Sequence, residues 1–323
     1  MSDERAEISR AGVDEAAFSG LVESHRRELH AHCYRILGSV DDADDALQET
    51  LVAAWRGLGG FAGRSSPRTW LYRIATTRCL NMLRTRSRRP QLAPVPPFTP
   101  PEPSGSFEAS WLQPYPDALL DAVDPAARTL ARESVELAFV AALQALPPRQ
   151  AAALVLCDVL GFSLTETAEV LDTRATAVKG LLQRARAAVP VSRRTARDEA
   201  CARTAQRFAD AFARDDVEAM VALLTDSAWL AMPPAPQQYD GPEAIARFLR
   251  SSARGRPGGR YHLVPVRAGG SPAFACYLAG AARGLVVVLP ADGGERITGL
   301  VRFLDDDLHR RFGLPDRIDA VLT

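Results

Sequence analysis

The chain has 323 residues and a formal net charge of zero, with 39 basic and 39 acidic side chains. This length is enough for two or three domains, each with its own core. No signal peptide is evident, and no apolar run reaches membrane-spanning length, so the sequence predicts a cytoplasmic protein with no membrane contact. Five scattered cysteines without a C-x-x-C pair support neither a disulfide framework nor a zinc ribbon.

The zero net charge hides a strong segregation of charge along the chain. Residues 61–101 hold eight arginines and no acid, and residues 174–197 hold seven basic residues and no acid. Between them, residues 102–172 hold eleven acids against three arginines. Two basic patches separated by an acidic stretch predict two distinct DNA contacts, because a diffuse polyanion surface would not be divided in this way.

A short cluster of potential metal ligands, HAHC, contains His30, His32 and Cys33. On a helix these side chains do not all share one face, so the spacing does not favour a metal site. We therefore predict no metal and no cofactor.

The first 89 residues are predicted to be helical. Apolar residues recur at helical spacing from about residue 14 to Gly38, where the first helix ends. A second helix begins at Val40, with acids in its first turn, and stops near Gly57. Its predicted buried residues are Ala43, Leu47, Leu51 and Trp55. A third helix covers residues 68–89.

The second helix carries five acids within nine positions, beside Leu47 and Gln48: Asp41, Asp42, Asp44, Asp45 and Glu49. Such a surface suits a basic protein better than DNA, which it would repel. The alternative is simple compensation of the helix dipole. We favour docking to a basic partner.

The third helix combines many arginines with Trp70 and Tyr72. Single-stranded DNA is bound by this mixture, since cations contact the phosphates and aromatic rings or pockets hold unstacked bases. In the alternative interpretation Trp70, Leu71 and Ile74 are ordinary core residues. For Trp70 the sequence leaves both roles open.

Residues 90–125 contain ten prolines and predict an extended linker. Within it, the segment WLQPYPDALLD (111–121) is too hydrophobic for a pure spacer and is expected to dock on a neighbouring domain. Helices are predicted to resume at about 128–145 and 148–160.

Residues 165–189 predict a helix-turn-helix. The first helix contains the small Ala168, which allows close approach of a second helix that is N-capped by Thr173. The second helix turns Val178, Leu181, Leu182 and Ala185 inward. The outward positions are Arg174, Thr176, Ala177, Lys179, Gly180, Gln183 and Arg184. A helix of this size fits the major groove; the alternative is a helical hairpin with a solvated basic face.

From about residue 199 the pattern changes to an α+β domain with a curved sheet. Helices are predicted at 200–213, 217–224 and 242–252. Strands are predicted at 228–232, 260–267, 273–279, 284–289 and 296–304.

Two blocks of the chain resemble the sigma-70 family of bacterial RNA polymerase sigma factors, in the extracytoplasmic function (ECF) group. The block 41–84, DDADDALQETLVAAWRGLGGFAGRSSPRTWLYRIATTRCLNMLR, resembles sigma region 2, and 143–186, LQALPPRQAAALVLCDVLGFSLTETAEVLDTRATAVKGLLQRAR, resembles region 4. The linker and the segments 231–249 and 311–318 resemble sigma factors with a fused SnoaL-like, NTF2-like domain.

The resemblance implies a multidomain protein: two all-α domains joined by a Pro-rich linker, followed by an α+β cone. The implied boundaries are 1–90 for region 2, 91–127 for the linker, 128–196 for region 4 and 199–323 for the SnoaL-like domain. The implied partners are core RNA polymerase, through the β′ clamp coiled coil and the β subunit, and promoter DNA.

The resemblance also implies roles for individual residues. The polymerase-binding set is Asp41, Asp42, Asp44, Asp45, Leu47, Gln48 and Glu49. The −10 set is Gly63, Arg64, Ser65, Ser66, Arg68, Trp70, Arg73, Arg78 and Asn81. The −35 set is Arg174, Thr176, Ala177, Lys179, Gly180, Gln183, Arg184 and Arg186, the last two expected on phosphates.

For the C-terminal domain the sequence leaves two functions open. A regulator would contact the sigma regions within the same chain and carry no chemistry. An isomerase or cyclase acting on a small hydrophobic ligand would need a carboxylate or histidine inside its pocket. The candidates for that role are Asp216, Asp240, His262 and His309. A stand-alone helix-turn-helix regulator is a further alternative, but it leaves the acidic helix unexplained. We predict a regulator, not an enzyme.

Overall fold

The computed structural model describes residues 2–61, 65–86, 98–120, 135–189, 198–256 and 259–318. The chain divides into two compact units, each built from two separate stretches of sequence. Unit 1 contains Met1–Arg89 and Ala142–Pro190; unit 2 contains Pro90–Ala141 and Val191–Thr323.

Unit 1 is entirely helical in its described residues. Its first three helices are α1 (Ser2–Leu37), α2 (Val40–Gly57) and α3 (Pro67–Arg86), and each packs against the other two. Gly38 ends α1 with a φ of +72°, a left-handed conformation that glycine adopts without strain. Ser39 then caps α2, because its hydroxyl accepts a hydrogen bond from the Asp42 N–H at 3.2 Å.

The helices that follow the linker are α4 (Leu137–Gln144), α5 (Pro148–Leu154), α6 (Leu164–Val170) and α7 (Ala175–Ala188). Helix α4 crosses the boundary between the units, and residues 128–134 of the helix predicted there lie outside the described residues. The predicted helix 148–160 is α5 continued by a π-helical turn, Val155–Val159. Within unit 1, α3 packs against α5 and α6.

Unit 2 contains a seven-stranded mixed sheet with the order β1-β3-β2-β7-β6-β5-β4. Strands β2 and β7 are parallel and all other neighbours are antiparallel. The strands are β1 (Gly105–Ser106), β2 (Leu224–Met232), β3 (Ala235–Asp240), β4 (Tyr261–Ala268), β5 (Ser271–Leu278), β6 (Ala281–Pro290) and β7 (Ile297–Phe303).

The helices of unit 2 are α8 (Asp198–Ala213), α9 (Val217–Val221), α10 (Pro242–Gly255) and the short α11 (Leu308–Arg311). Helices α8, α9 and α10 share a large apolar core with one face of the sheet, where Phe208, Leu249 and Val288 are buried. A smaller cluster around Tyr277 covers residues of the other face. The predicted α+β fold is confirmed, although the strand β3 was not predicted.

The Pro-rich linker is part of unit 2 where the structure describes it. Residues Gly105 and Ser106 pair with β3, and Phe107 stacks on Trp229 with ring centroids 6.0 Å apart. Asp117 accepts a hydrogen bond from the Gly270 N–H at 2.8 Å. The segment 111–121, expected to dock on a neighbouring domain, thus does so over its described residues, 111–120, on the C-terminal sheet.

Candidate nucleic-acid and protein interfaces

Helix α2 presents a continuous acidic face to solvent. Asp41, Asp45, Gln48 and Glu49 are exposed, and Asp42 and Asp44 are half-buried. Leu47, predicted in the same surface, is instead only 4% exposed and belongs to the core. The spacing explains this difference, because Ala43, Leu47 and Ala54 occupy the opposite, apolar face of the helix.

The acidic face continues into two exposed apolar side chains. Val52 is 50% exposed and Trp55 is 48% exposed, so the prediction that α2 buries Trp55 is wrong. Trp55 contacts Phe18 of α1 edge to face, with ring centroids 5.2 Å apart. Both residues follow Asp41, Asp45 and Gln48 at helical spacing, so the same periodicity would have identified them.

Two ion pairs connect α2 with its neighbours. His30 Nε2 lies 3.2 Å from Asp44 Oδ1, a contact that is ionic only when the imidazole is protonated. Arg78 Nη1 lies 3.8 Å from Glu49 Oε2, which joins a predicted −10 residue to a predicted polymerase-binding residue. Both carboxylates are about half exposed, so the pairs reduce the negative charge of the face without covering it.

The start of α3 is held by local hydrogen bonds. The Thr69 N–H donates to Ser66 Oγ at 3.0 Å, and Trp70 packs against Phe61 with ring centroids 5.0 Å apart. Trp70 is half-buried, so part of its ring is in the core and part is accessible. Ser65 is half-buried and Ser66 exposed, whereas Gly63 and Arg64 lie outside the described residues.

Farther along α3, the accessible residues lie on one side of the helix. Arg73 is exposed, and Arg78 and Asn81 are half-buried. Asn81 Oδ1 accepts a hydrogen bond from Arg84. Tyr72, in contrast, is fully buried, and its hydroxyl donates to Glu28 Oε2 at 3.4 Å. It therefore does not contribute the accessible ring expected from the sequence.

Arg68 contacts the part of unit 1 that follows the linker, residues 142–189, which we call the second helical block. Its guanidinium carbon lies 4.3 Å from the centroid of the buried Phe162 ring, and Nη2 donates to the Leu160 carbonyl at 3.1 Å. Glu28 Oε2 is 3.9 Å from Arg68 Nε. In this arrangement a residue predicted to bind the −10 element is engaged by the loop that precedes α6.

A buried polar group lies below this contact. His32 Nε2 is 2.9 Å from Thr76 Oγ1, and the His32 and Tyr72 rings meet edge to face at 4.9 Å. Burial first, and then the positive charges of Arg35 and Arg68, lower the pKa of His32 to about 3. Burial, followed by the negative charge of Glu28, raises the pKa of Tyr72. Both side chains are therefore neutral at neutral pH.

Helix α6 begins with a complete capping box. The Glu166 N–H donates to Ser163 Oγ at 3.2 Å, and the Ser163 N–H donates to Glu166 Oε2 at 2.9 Å. The pKa of Glu166 is lowered because its carboxylate accepts hydrogen bonds from the Ser163 N–H and from the Ser163 hydroxyl, the latter at 2.7 Å. At the other end Arg149 donates to the Leu171 carbonyl at 2.7 Å, which fixes the turn between α6 and α7.

Helix α7 buries one apolar stripe and exposes its polar side chains. Val178, Leu182 and Ala185 are buried, whereas Leu181 is only half-buried. The exposed members of the −35 set are Arg174, Thr176, Ala177, Lys179, Gln183, Arg184 and Arg186; Gly180 is half-buried. The residue at the N-cap is Arg174, without a side-chain hydrogen bond, so the prediction of Thr173 as the cap is wrong.

Arg186 is paired within the second helical block. Its Nη2 and Nε atoms lie 2.7 and 2.9 Å from the two carboxylate oxygens of Asp158 in the π-helical turn. This bidentate pair raises the pKa of Arg186. A phosphate would have to compete with Asp158 for the guanidinium.

The four candidate catalytic residues of unit 2 lie in different local environments. Asp216 caps α9 by accepting the Ala219 N–H at 3.0 Å, and Asp240 and His262 are exposed. His262 is therefore not part of the core. His309 is buried against Tyr277, with ring centroids 4.6 Å apart, and burial lowers its pKa.

No helix among the described residues is long and apolar enough to cross a membrane. Within the same part of the chain, no three potential ligands come together as a metal site. Of the HAHC motif, His32 and Cys33 are completely buried, and His30 contacts Asp44.

Three family models match the chain in sequence order. Sigma-70 region 2 matches residues 21–89, sigma-70 region 4 matches 136–189, and the SnoaL-like domain matches 205–308. Together with the helical unit and the mixed sheet, these matches define a sigma-70 type transcription factor with an appended SnoaL-like domain.

The chain is 42% identical to the ECF RNA polymerase sigma factor SigG of Mycobacterium tuberculosis over 93% of its own length and 85% of the relative's. It is 30% identical to SigJ of that species over 70% of each chain. The crystal structure of M. tuberculosis SigJ has the same fold, with a TM-score of 0.59 at 23% identity, covering 91% of this chain and 98% of that one. The chain belongs to the ECF sigma factors, which direct RNA polymerase to promoters and initiate transcription.

Proposed function

We propose that the exposed face of α2 is the surface that binds core RNA polymerase, through the β′ clamp coiled coil. We call it the docking face and define it by Asp41, Asp45, Gln48, Glu49, Val52 and Trp55. The observation that carries this proposal is the combination of exposed carboxylates and an exposed tryptophan along one side of one helix. Asp42 and Asp44 border this face, and Leu47 supports it from the core.

The composition of the docking face favours a basic protein over DNA. Carboxylates repel phosphates but steer a positively charged helix toward the surface. Tryptophan is strongly enriched among the residues that dominate binding energy at protein interfaces. We therefore expect Trp55 to provide most of the affinity and the acids to provide the salt dependence.

Two variants test this assignment. Trp55→Ala should weaken binding of the full chain to core polymerase by about 2 kcal/mol, or about thirtyfold. Asp45→Arg should weaken binding to polymerase more at low salt than at high salt, because ions screen the attraction between opposite charges. The matched control is Leu119→Ala, since Leu119 is also a large exposed apolar residue, at 40%. Equal affinities for Trp55→Ala and the control would refute the proposal.

We further propose that α3 and the residues before it bind the −10 element, while α7 reads the −35 element. Arg73, Arg78 and Asn81 on α3, and Lys179 and Gln183 on α7, are the accessible polar side chains that support this assignment. For Arg68 to bind DNA, it must leave Phe162 and the Leu160 carbonyl. DNA binding through Arg68 thus requires its guanidinium group to exchange these contacts for contacts to DNA.

For the C-terminal domain we propose a regulatory role, through contact with the sigma regions or through a small hydrophobic ligand, in a factor acting in the cytoplasm. The scattered positions of Asp216, Asp240, His262 and His309 favour this role over catalysis. Deleting residues 200–323 is a poor test, because Phe107 and Tyr115 would lose the sheet that buries them.

A sharper test keeps the domain and loosens the linker. Asp117→Ala removes the acceptor of the Gly270 N–H and the partner of Arg267, whose Nε is 3.4 Å away. If the domain acts through this segment, run-off transcription by the variant should differ from that of the wild type. The control is Asp226→Ala, an exposed aspartate on β2 of the same sheet. Identical transcription from all three proteins would exclude control through the linker.

A further inference from the structure

A groove on unit 2 is lined by arginines that have no part in the functions above. Its volume is about 490 Å³. The lining residues are Phe98, Thr99, Arg247, Arg250, Ser251, Arg254 and Gly255. None of these is acidic, so the groove attracts anions.

The groove is built by α10 and the start of the described linker. Phe98 packs on Phe248 with ring centroids 5.7 Å apart, and Ser251 Oγ donates to the Thr99 carbonyl at 3.0 Å. A side chain at Gly255 would collide with Phe98, so glycine is required for this close approach. The backbone of residues 98 and 99 thus forms one wall, and the helix forms the other.

The three arginines are arranged along the helix at intervals of three and four residues. This spacing puts Arg247, Arg250 and Arg254 on one face, over about 10 Å of helix axis. All three are exposed. Glu243 lies 3.5 Å from Arg247 and Glu218 lies 2.8 Å from Arg250, so a phosphate would compete with these carboxylates for two of the three guanidinium groups.

We propose that this arginine groove binds the phosphate backbone of promoter DNA next to the −10 element. A row of guanidinium groups along one helix suits the regularly spaced phosphates of one DNA strand. The groove also begins at Phe98, twelve residues after Arg86, the end of α3. Twelve residues span at most ~40 Å, so the chain tethers the groove to the end of the proposed −10 helix.

The lining distinguishes DNA from an acidic protein partner. A protein interface is centred on apolar or aromatic side chains that become buried on binding. The one aromatic residue that lines the arginine groove is Phe98, which is already half-buried against Phe248. Charge without an exposed apolar centre favours phosphate contacts that carry no sequence information.

The test is the salt dependence of promoter binding by the full chain with core polymerase. The triple variant Arg247→Ala, Arg250→Ala, Arg254→Ala should bind promoter DNA about tenfold more weakly near physiological salt. The slope of log K against the logarithm of the salt concentration should decrease in magnitude by about 2 to 3. Glu243→Gln should tighten binding slightly, because it removes the carboxylate beside Arg247. The matched control replaces three exposed arginines of the same unit, Arg203, Arg207 and Arg214, by alanine.

The inference rests on the proposed −10 assignment, and the outcomes separate the two. A shallower slope in the groove variant alone, with unchanged affinity for polymerase, supports the inference. An unchanged slope with normal promoter opening overturns it and leaves the −10 assignment intact. Weaker binding to polymerase without DNA would instead indicate an acidic protein partner and also overturn it. If the wild-type chain failed to open promoter DNA, the −10 assignment itself would fail.

Discussion

Helices α3 and α7 carry the same kind of charge but differ in how they present it. On α7 a clean apolar stripe is buried, and the basic side chains of the −35 set face solvent. On α3 the accessible side chains also lie on one side of the helix, but Arg68 at its start is engaged by Phe162 and Leu160. The proposed −35 surface on α7 is therefore accessible, whereas the proposed −10 surface on α3 is partly occupied by the chain itself.

The largest effect is expected where α3 contacts the loop that precedes α6. Phe162→Ala should lower the free energy of unfolding by about 3–5 kcal/mol, because a buried aromatic side chain is replaced by a cavity. It should also increase binding of a single-stranded −10 oligonucleotide, because Arg68 loses its stacking partner. Chemical unfolding and fluorescence anisotropy measure the two effects.

The control for this variant is Leu164→Ala, two positions away and 41% exposed. It should change stability by about 0.5 kcal/mol or less. A Phe162→Ala protein that is destabilised but binds the oligonucleotide no better would show that Arg68 is not limited by this contact.

The next effect concerns sequence recognition by α7. Lys179→Ala and Gln183→Ala should each reduce the preference for the cognate −35 sequence by about 1–3 kcal/mol, the value of one good side-chain contact to a base. Arg184→Ala should instead weaken binding to all sequences equally, because phosphate contacts carry no sequence information. Competition between cognate and altered −35 duplexes measures the difference. Loss of preference in Arg184→Ala alone would reverse these roles.

The contrast also explains what could be predicted from sequence. The helix-turn-helix was predictable because Val178, Leu182 and Ala185 recur with a single helical period. Trp55 was misassigned because an aromatic residue near the apolar stripe of α2 was counted as core, although its position continues the exposed face. Such cases need the angular position of each residue, not only its hydrophobicity.

Other features depend on contacts distant in sequence. The short strand β3 was missed because Pro236, Gln237 and Gln238 have low strand propensity, and pairing with β1 and β2 fixes their conformation. The engagement of Arg68 by Leu160 joins residues 92 positions apart, which no local pattern can indicate. The Asp158–Arg186 pair was likewise invisible, although both residues lie in the predicted region 4.

A smaller effect follows from the buried histidine next to α3. The pKa of His32 is about 3 in the folded chain, below its ordinary value of 6.5, so the unfolded chain binds this proton more readily. Above about pH 6.5 the free energy of unfolding does not depend on this group. Below that pH it decreases by about 1.4 kcal/mol per pH unit for one proton, until the pH approaches 3. Urea unfolding of the wild type and His32→Gln between pH 7 and pH 5 should show the difference as a shallower pH dependence in the variant.

The smallest effect is expected at the Asp158–Arg186 pair. Variants of this pair test whether Arg186 on α7 is available to bind DNA. The Arg186 side chain is 58% exposed, so the pair should contribute only about 0.2–1 kcal/mol to stability.

If Arg186 binds phosphate, Asp158→Asn should tighten DNA binding for every sequence, because the guanidinium is released and a negative charge is removed. If Arg186 instead positions α7, Asp158→Asn and Arg186→Ala should weaken −35 binding alike, and exchanging the two residues should restore it. The second result would make α3 and α7, the two proposed DNA-binding helices, more similar, since each would then have an arginine committed to a contact within unit 1.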